Sequence, residues 1–330
     1  MLTIDLHAHI DVPEAEARIS NRPEWALIQE FIRKALGETS YQVNLEQEAR
    51  ILPKSTDIGL RLQDMDRMGV DIQVITPTPM QYHYWADQEL AAILVADQNK
   101  YIAGICTSYP ERFIGLGAVA LQHPQLALSQ LKDCIETYKL KGVEICSAYP
   151  GCELSDGRFE PFWRLAEELQ AVIIIHPLGS SLGERTADYY LSNIIGQPLD
   201  TTIALAHLIF SGVFERYPRL KVCAVHGGGF LPSYIGRFDH AYQVRPESHT
   251  MQRPPSAYLR QIFFDTVVFK PDILSSLIAT AGIGQVVLGT DYPYDMGDYD
   301  ISALLKSIPG LDDAGQIAIR GENAQRLFGL

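Results

Sequence analysis

Val172-Ile173-Ile174-Ile175-His176-Pro177 decides the fold. Four successive β-branched residues form a strand that is apolar on both faces, which suits a strand covered on both sides in a parallel sheet. A polar, metal-capable imidazole ends the run. The same design recurs in both directions, with strands predicted at Leu2–Leu6, Ile72–Thr76, Phe113–Ala118 and Gly142–Ile145. Further strands are predicted at Lys221–Val225, Ile262–Asp265 and Gln285–Leu288. Between them apolar residues fall at helical spacing, as Leu126, Leu131, Cys134, Ile135 and Tyr138 do, and then Phe159, Phe162, Leu165 and Leu169. Strands alternating with helices, eight in number, predict an α/β fold closed as a (β/α)8 TIM barrel. An open nucleotide-binding sheet is disfavoured because no G-x-G-x-x-G follows the first strand, and Gly227-Gly228-Gly229 lacks that fingerprint.

No Pro/Gly/Ser linker divides the chain, so residues 1–330 are expected to form one barrel domain. The stretch from Asp11 to Ile58, ahead of a helix around Arg61–Met68, is too long for an ordinary βα loop. It is expected to be an insertion lying over the barrel mouth. With 330 residues, 47% hydrophobic and 20% charged, the chain is not disordered. A net charge of −13 argues against nucleic acid or an anionic membrane as partner. Its apolar runs fall far short of the ~18–20 residues that span a bilayer. The five cysteines, Cys106, Cys134, Cys146, Cys152 and Cys223, contain no C-x-x-C pair and read as reduced and buried. No basic leader opens the chain, so a cytoplasmic location is expected.

The chemistry begins at His7-Ala8-His9. Side chains two apart on a strand share a face, so both imidazoles aim the same way. Alone, an H-x-H pair reads as readily as two core histidines. His176, His226 and Asp291 change the balance, because each follows an apolar strand, on the predicted fifth, sixth and eighth strands. In a barrel those ends open onto one face, where active sites sit. Imidazoles and a carboxylate converging there from several strands are the makings of a metal site, which no one of them would argue alone. Asp5, two residues before His7, is read as either a partner of that ring or a structural group.

These residues lie in motifs that resemble the metal-dependent amidohydrolase superfamily, in its aminocarboxymuconate-semialdehyde decarboxylase-like branch. The motifs are Asp-Leu-His-Ala-His (5–9), His-Pro (176–177), Ser-Gly-Val-Phe-Glu-Arg-Tyr-Pro (211–218), Val-His-Gly-Gly-Gly (225–229) and Leu-Gly-Thr-Asp-Tyr-Pro (288–293). The resemblance implies a single divalent metal, zinc first and manganese second, held by His7, His9, His176 and Asp291 with a bound water. It implies that His226 is the acid/base acting on that water. Arg237 matches an arginine that holds the substrate carboxylate across a dimer interface, and Arg50 matches a second such arginine approximately. A guanidinium fork suits a carboxylate substrate. Lys141, where other branches carry a bridging lysine, is read as surface. His83, His123, His207, His240 and His249 are read as structural, while Trp25, Tyr82, Tyr84 and Trp85 are candidates for pocket wall or core.

The implied activity is non-oxidative decarboxylation of an unsaturated or aromatic carboxylic acid, such as a carboxymuconate semialdehyde in aromatic catabolism, by a cytoplasmic homodimer. Aromatic-acid decarboxylases of the branch commonly carry Glu at the place of His7, so His7 tilts the reading toward the muconate type. The alternative is a hydrolase or hydratase acting on a C–C, lactone or cyclic amide bond, since the same ligand set serves both. A metal-holding binding protein is disfavoured because it has no need of His226.

Overall fold

The computed structural model describes residues 2–149, 151–179 and 181–330. Strands β1 (Ile4–Ile10), β2 (Ile72–Pro77) and β3 (Phe113–Gly115) form one parallel sheet in that order. Strands β4 (Gly142–Cys146), β5 (Val172–His176), β6 (Lys221–Ala224), β7 (Ile262–Asp265) and β8 (Val286–Val287) form a second. Its order is β8-β7-β6-β5-β4, again all parallel. Main-chain bonds join the sheets at both edges. Gly117 N donates to Gly142 O (3.0 Å) and Glu144 N to Gly117 O (2.9 Å) beside β3 and β4. Leu6 N donates to Leu288 O (2.8 Å) and Ala8 bridges Tyr292 beside β1 and β8.

The unbroken apolar runs follow from burial on both faces. Val172 and Ile174 pack with Ile4, Leu6, Val74 and Val287 in one cluster. Ile173 and Ile175 point the other way, into the larger cluster with helix residues such as Leu131, Phe162 and Leu208. His176 continues the series 172, 174, 176, so it stands on top of the first cluster.

The first strand runs on to Ile10 instead of ending at Leu6, because His9 and Ile10 pair with Thr76 and Pro77. Its register against β2 slips between Asp5 and Ala8. Such a bulge exchanges the two faces of a strand. Ile4 and Leu6 belong to one cluster while Ile10 belongs to the other. His7 and His9 are thereby placed on the face that Ile4 and Leu6 occupy lower down, and Asp5 turns away from them.

Between β1 and β2 lie four helices, Pro13–Ile19, Pro23–Leu36, Glu38–Thr56 and Ile58–Met68. Proline at the first turn starts two of them, and the Asp57 carboxylate accepts from Leu60 N (3.1 Å) to cap the last. At Gly37 (φ 76°) the chain turns directly against the backbone of Ala187, where a Cβ would lie 2.1 Å from the carbonyl oxygen. All five cysteines are free, and among the described residues no helix is long and apolar enough to cross a membrane.

Candidate active site

Four side chains from β1, β5 and the segment after β8 converge at the carboxyl ends of the strands. One ligand atom from each of His7, His9, His176 and Asp291 lies within 4.8 Å of all the others, and all four residues are buried. The imidazole centroids stand 4.9–5.2 Å apart. Asp291 is anchored by its own N–H, which donates to His7 O (2.8 Å).

The partners of the three rings fix which nitrogen faces the centre. His7 Nδ1 donates to Asp265 Oδ2 (2.7 Å) and His176 Nδ1 to Pro177 O (2.8 Å). His9 Nδ1 lies 3.2 Å from Thr76 Oγ1, whose hydroxyl lies 2.9 Å from Glu144 Oε2. Each ring then turns Nε2 inward, and the Nε2 atoms of His7 and His9 are only 3.1 Å apart. Two lone pairs at that distance repel unless a proton or a metal cation lies between them. Asp291 Oδ1, 3.3–3.4 Å from the same two nitrogens, is buried without a hydrogen-bond partner. Three neutral nitrogens and one carboxylate oxygen facing one point fit a divalent metal.

With no metal bound, the carboxylates around the centre favour a proton on His7 in place of that cation. Burial alone would lower the His7 pKa, but Asp291, Asp265 and Glu144 outweigh it and hold the ring at about 9. Burial keeps His176 well below the ordinary histidine value, with the neighbouring imidazoles adding to the effect. Burial opposes ionisation of Asp291, yet His7, His226 and His9 together hold its carboxyl well below the usual range.

His226 stands just past β6. Its ring centroid is 5.3 Å from that of His7 and 5.2 Å from that of His176, and its Nε2 is 3.5 Å from Asp291 Oδ2. Its side chain is 12% exposed, so it is the more open side of the cluster. His226 (φ 54°) and Asp291 (φ 59°) are both non-glycine residues in the left-handed region. Such strain costs of order 1–3 kcal/mol each and is characteristic of functional sites. The glycines after His226 serve the protein's own packing. A Cβ on Gly227, Gly228 or Gly229 would meet Val268, the Phe264 ring or Pro198 O at 2.4, 2.6 and 2.0 Å.

Sequence reasoning missed the residues that brace the cluster. Asp265 holds the His7 ring through Oδ2 and the His226 loop through Oδ1, which accepts from Gly227 N (2.7 Å). Its signal was its place at the end of an apolar strand, the same as that of His176. Asp5 does not touch the His7 ring. Its carboxylate accepts from Thr290 Oγ1 (2.6 Å), Thr290 N (2.9 Å) and Gln73 Nε2 (2.8 Å). Arg61, fully buried, donates to Gln73 Oε1 (2.8 Å) and to His9 O. Tyr82 and Tyr84 bond Glu144 Oε1 and Cys146 N. Tyr294 packs its ring 5.5 Å from that of His9.

Arg237 is exposed on the helix Leu231–Val244 and Arg50 is exposed on Glu38–Thr56; neither has an ion-pair partner among the described residues. The cluster of four ligand candidates includes neither arginine. Lys141 is exposed, as expected. His83, His123, His207, His240 and His249 lie outside the cluster as well.

Comparison with known proteins follows the same line. The chain is 32% identical to 2-amino-3-carboxymuconate-6-semialdehyde decarboxylase of Dictyostelium discoideum over 331 residues, covering 100% of this chain and 92% of the relative. It is 25% identical to gamma-resorcylate decarboxylase of Rhodococcus jostii over 86% of this chain and 90% of that protein. Among solved structures, 5-carboxyvanillate decarboxylase of Novosphingobium aromaticivorans, crystallised with manganese and a nitrobenzoic acid, superposes with a TM-score of 0.85. That match covers 100% of this chain and 97% of the other at 23% identity. The amidohydrolase family profile spans residues 4–330. A match of that extent, with a relative at 32% identity over the whole chain, makes this protein a member of the amidohydrolase family, in the branch of the carboxymuconate-semialdehyde and resorcylate decarboxylases.

Proposed function

We propose that the protein is a metal-dependent carboxy-lyase that decarboxylates an unsaturated or aromatic carboxylic acid without oxidation, a carboxymuconate semialdehyde being the type expected. One observation carries the reaction class: the relatives named above are decarboxylases matched over most of their length. The donor set supports His7, His9, His176 and Asp291 as holders of one divalent ion, zinc or manganese. Bound there, the ion supplies a Lewis acid that stabilises negative charge on a substrate oxygen. In the reaction the bond to the leaving carboxylate breaks, CO₂ departs, and the electron pair stays on the substrate carbon, delocalised into its conjugated carbonyl or imine. Protonated His226 delivers its Nε2 proton to that carbon, and Asp291 Oδ2 beside it holds the ring in place. No organic electron sink is needed, since the substrate provides one.

The same reading takes residues 1–330 as one closed barrel domain, with 11–58 over its mouth and a homodimer in the cytoplasm as the working form. The main-chain bonds joining the two sheets support closure. Gln47 Oε1, which accepts from Asp295 N (3.2 Å) four residues past Asp291, supports the position of the insertion. Exposed Arg237 would hold the substrate carboxylate in a neighbouring subunit's site, with Arg50 as a second grip.

The test is turnover of carboxylated muconates and aromatic acids in deuterated water. CO₂ release with one deuterium at the vacated carbon is expected. Product that has gained water with no CO₂ would move the protein to the hydrolase or hydratase reading. Mixing Arg237→Ala with His226→Ala chains should restore part of the activity; none restored would remove Arg237 from the neighbour's site.

A pH dependence also follows. In metal-free chains His7 is held at about 9, above the ordinary 6.5. Its pairing with carboxylates therefore stabilises the fold fully below about 6.5 and is lost as pH rises through about 9. A divalent ion competes with that proton, so metal affinity should climb with pH and level off near 9. Chelator competition at several pH values measures this, and a flat profile from about pH 7 to 9 counts against His7 as a ligand.

A further inference from the structure

His7 and His176 are oriented by groups that only accept, a carboxylate and a main-chain carbonyl. His9 differs. Its Nδ1 meets the hydroxyl of Thr76 (3.2 Å), which stands directly opposite it in the β1–β2 register. A hydroxyl can donate or accept, so on its own it does not choose the ring's tautomer. Were Thr76 to donate, the proton of His9 would sit on Nε2, aimed at His7 Nε2 3.1 Å away, and no lone pair would remain for an ion.

The choice is made one residue further on. Glu144, fully buried on β4, places Oε2 2.9 Å from the Thr76 hydroxyl. Burial raises the pKa of the Glu144 carboxyl, while His9, His7 and the bonds from Tyr82 and Thr76 oppose that rise. In its ionised form the carboxylate offers acceptors only, so it takes the Thr76 proton and leaves that oxygen's lone pair to accept from His9 Nδ1–H. The competing acceptor, Ala8 O, is farther from Thr76 at 3.4 Å. Glu144 is held in turn, since Oε1 accepts from Tyr82 OH (2.9 Å). The Tyr82 ring stacks on Tyr84 at 5.5 Å, and the Tyr84 hydroxyl accepts from Cys146 N (3.2 Å). Glu144 Oε1 stands 4.0 Å from His9 Nδ1, beyond hydrogen-bond reach, so its influence passes through Thr76.

We propose, resting on the metal site proposed above, that Thr76 and Glu144 are positioning residues that together lock His9 as an Nδ1–H tautomer and so present its Nε2 to a divalent cation. Second-sphere partners of this kind set metal affinity as well as rate, and losing one typically costs 10–100-fold.

The test is Zn²⁺ and Mn²⁺ affinity by chelator competition on the full chain, with melting of the metal-free forms as a fold control. Thr76→Val, equal in size, should bind either ion about 10–100-fold more weakly, and Glu144→Gln should do the same. Thr76→Ser keeps the hydroxyl and should stay within about twofold of the natural chain. The double variant Thr76→Val/Glu144→Gln should be no worse than the weaker single, because the two act in series. Full affinity in Thr76→Val, or losses that multiply in the double, would overturn the relay while leaving the metal site standing. A natural chain that binds neither ion would overturn the site and the relay together. If Glu144→Gln does not fold, Thr76→Val and Thr76→Ser still decide.

Discussion

His176→Ala should leave a folded chain with no tightly held metal and turnover at background. The ring contributes one inward Nε2, and nothing else from β5 can replace it, since Ile174 lies lower on the same face and Ile175 points into the helix layer. Removing the imidazole costs the fold little, because the ring is neutral and its one bond is to the adjacent Pro177 carbonyl. At position 291 the better variant is Asn. The backbone there is left-handed (φ 59°), which Asn tolerates and Ala resists. Asp291→Asn keeps the shape, removes the charge, and should lose both metal and activity. Metal analysis after gel filtration, with melting of metal-free natural and variant chains, separates loss of the ion from loss of the fold. Full turnover in carefully metal-stripped natural enzyme, or two ions per chain, would sink the single-metal reading.

The four candidate ligands were legible in the sequence because two of the three stretches that carry them end an apolar run and the third pairs two imidazoles at strand spacing. Val-Ile-Ile-Ile-His at 172–176 has no packing reason to end in an imidazole, nor has Val-Val-Leu-Gly-Thr-Asp at 286–291 a packing reason to end in a carboxylate. The strand pattern was legible for the same reason, since both faces of each strand are covered. The bracing shell was not. Glu144 sits inside Gly-Val-Glu-Ile-Cys and Asp265 ends Ile-Phe-Phe-Asp, and a single acid there reads equally as a strand end or a cap. What selects them is which strand lies beside which, and β7 meets β1 only in three dimensions. Asp5 was left between two readings, and it serves as the structural group, bonding Thr290, Gln73 and only the main-chain N–H of His7. Alternation along the strand puts Asp5 and His7 on one face, but the bulge between Asp5 and Ala8 exchanges the faces. A bulge is a property of strand pairing, so residue spacing alone cannot reveal it. The two arginines were found by motif position, and their exposed sites give them no contact with the cluster within one chain.

His226 is the residue whose removal should separate metal binding from catalysis. It belongs to the cluster by distance, with Nε2 3.5 Å from Asp291 Oδ2, yet it lies outside the four ligand atoms that share one centre. Its Nδ1 is buried with no partner among the described residues, unlike the Nδ1 atoms of the three inward rings. A ligand ring is oriented by a partner on its other nitrogen, and His226 has none, which sets it apart from the three rings that have one. His226→Ala is therefore expected to keep one ion per chain and to lose about 10²–10⁴ in rate, the usual range for a general acid/base. Because the backbone here is left-handed (φ 54°), Ala adds strain of its own, and His226→Asn is the companion that keeps the conformation without a titrating group. Both variants should show the same loss. If both instead lose the metal, His226 is a ligand and the proton must come from another group. If Asn retains activity while Ala does not, the loss belongs to the loop's geometry, and the acid/base role fails.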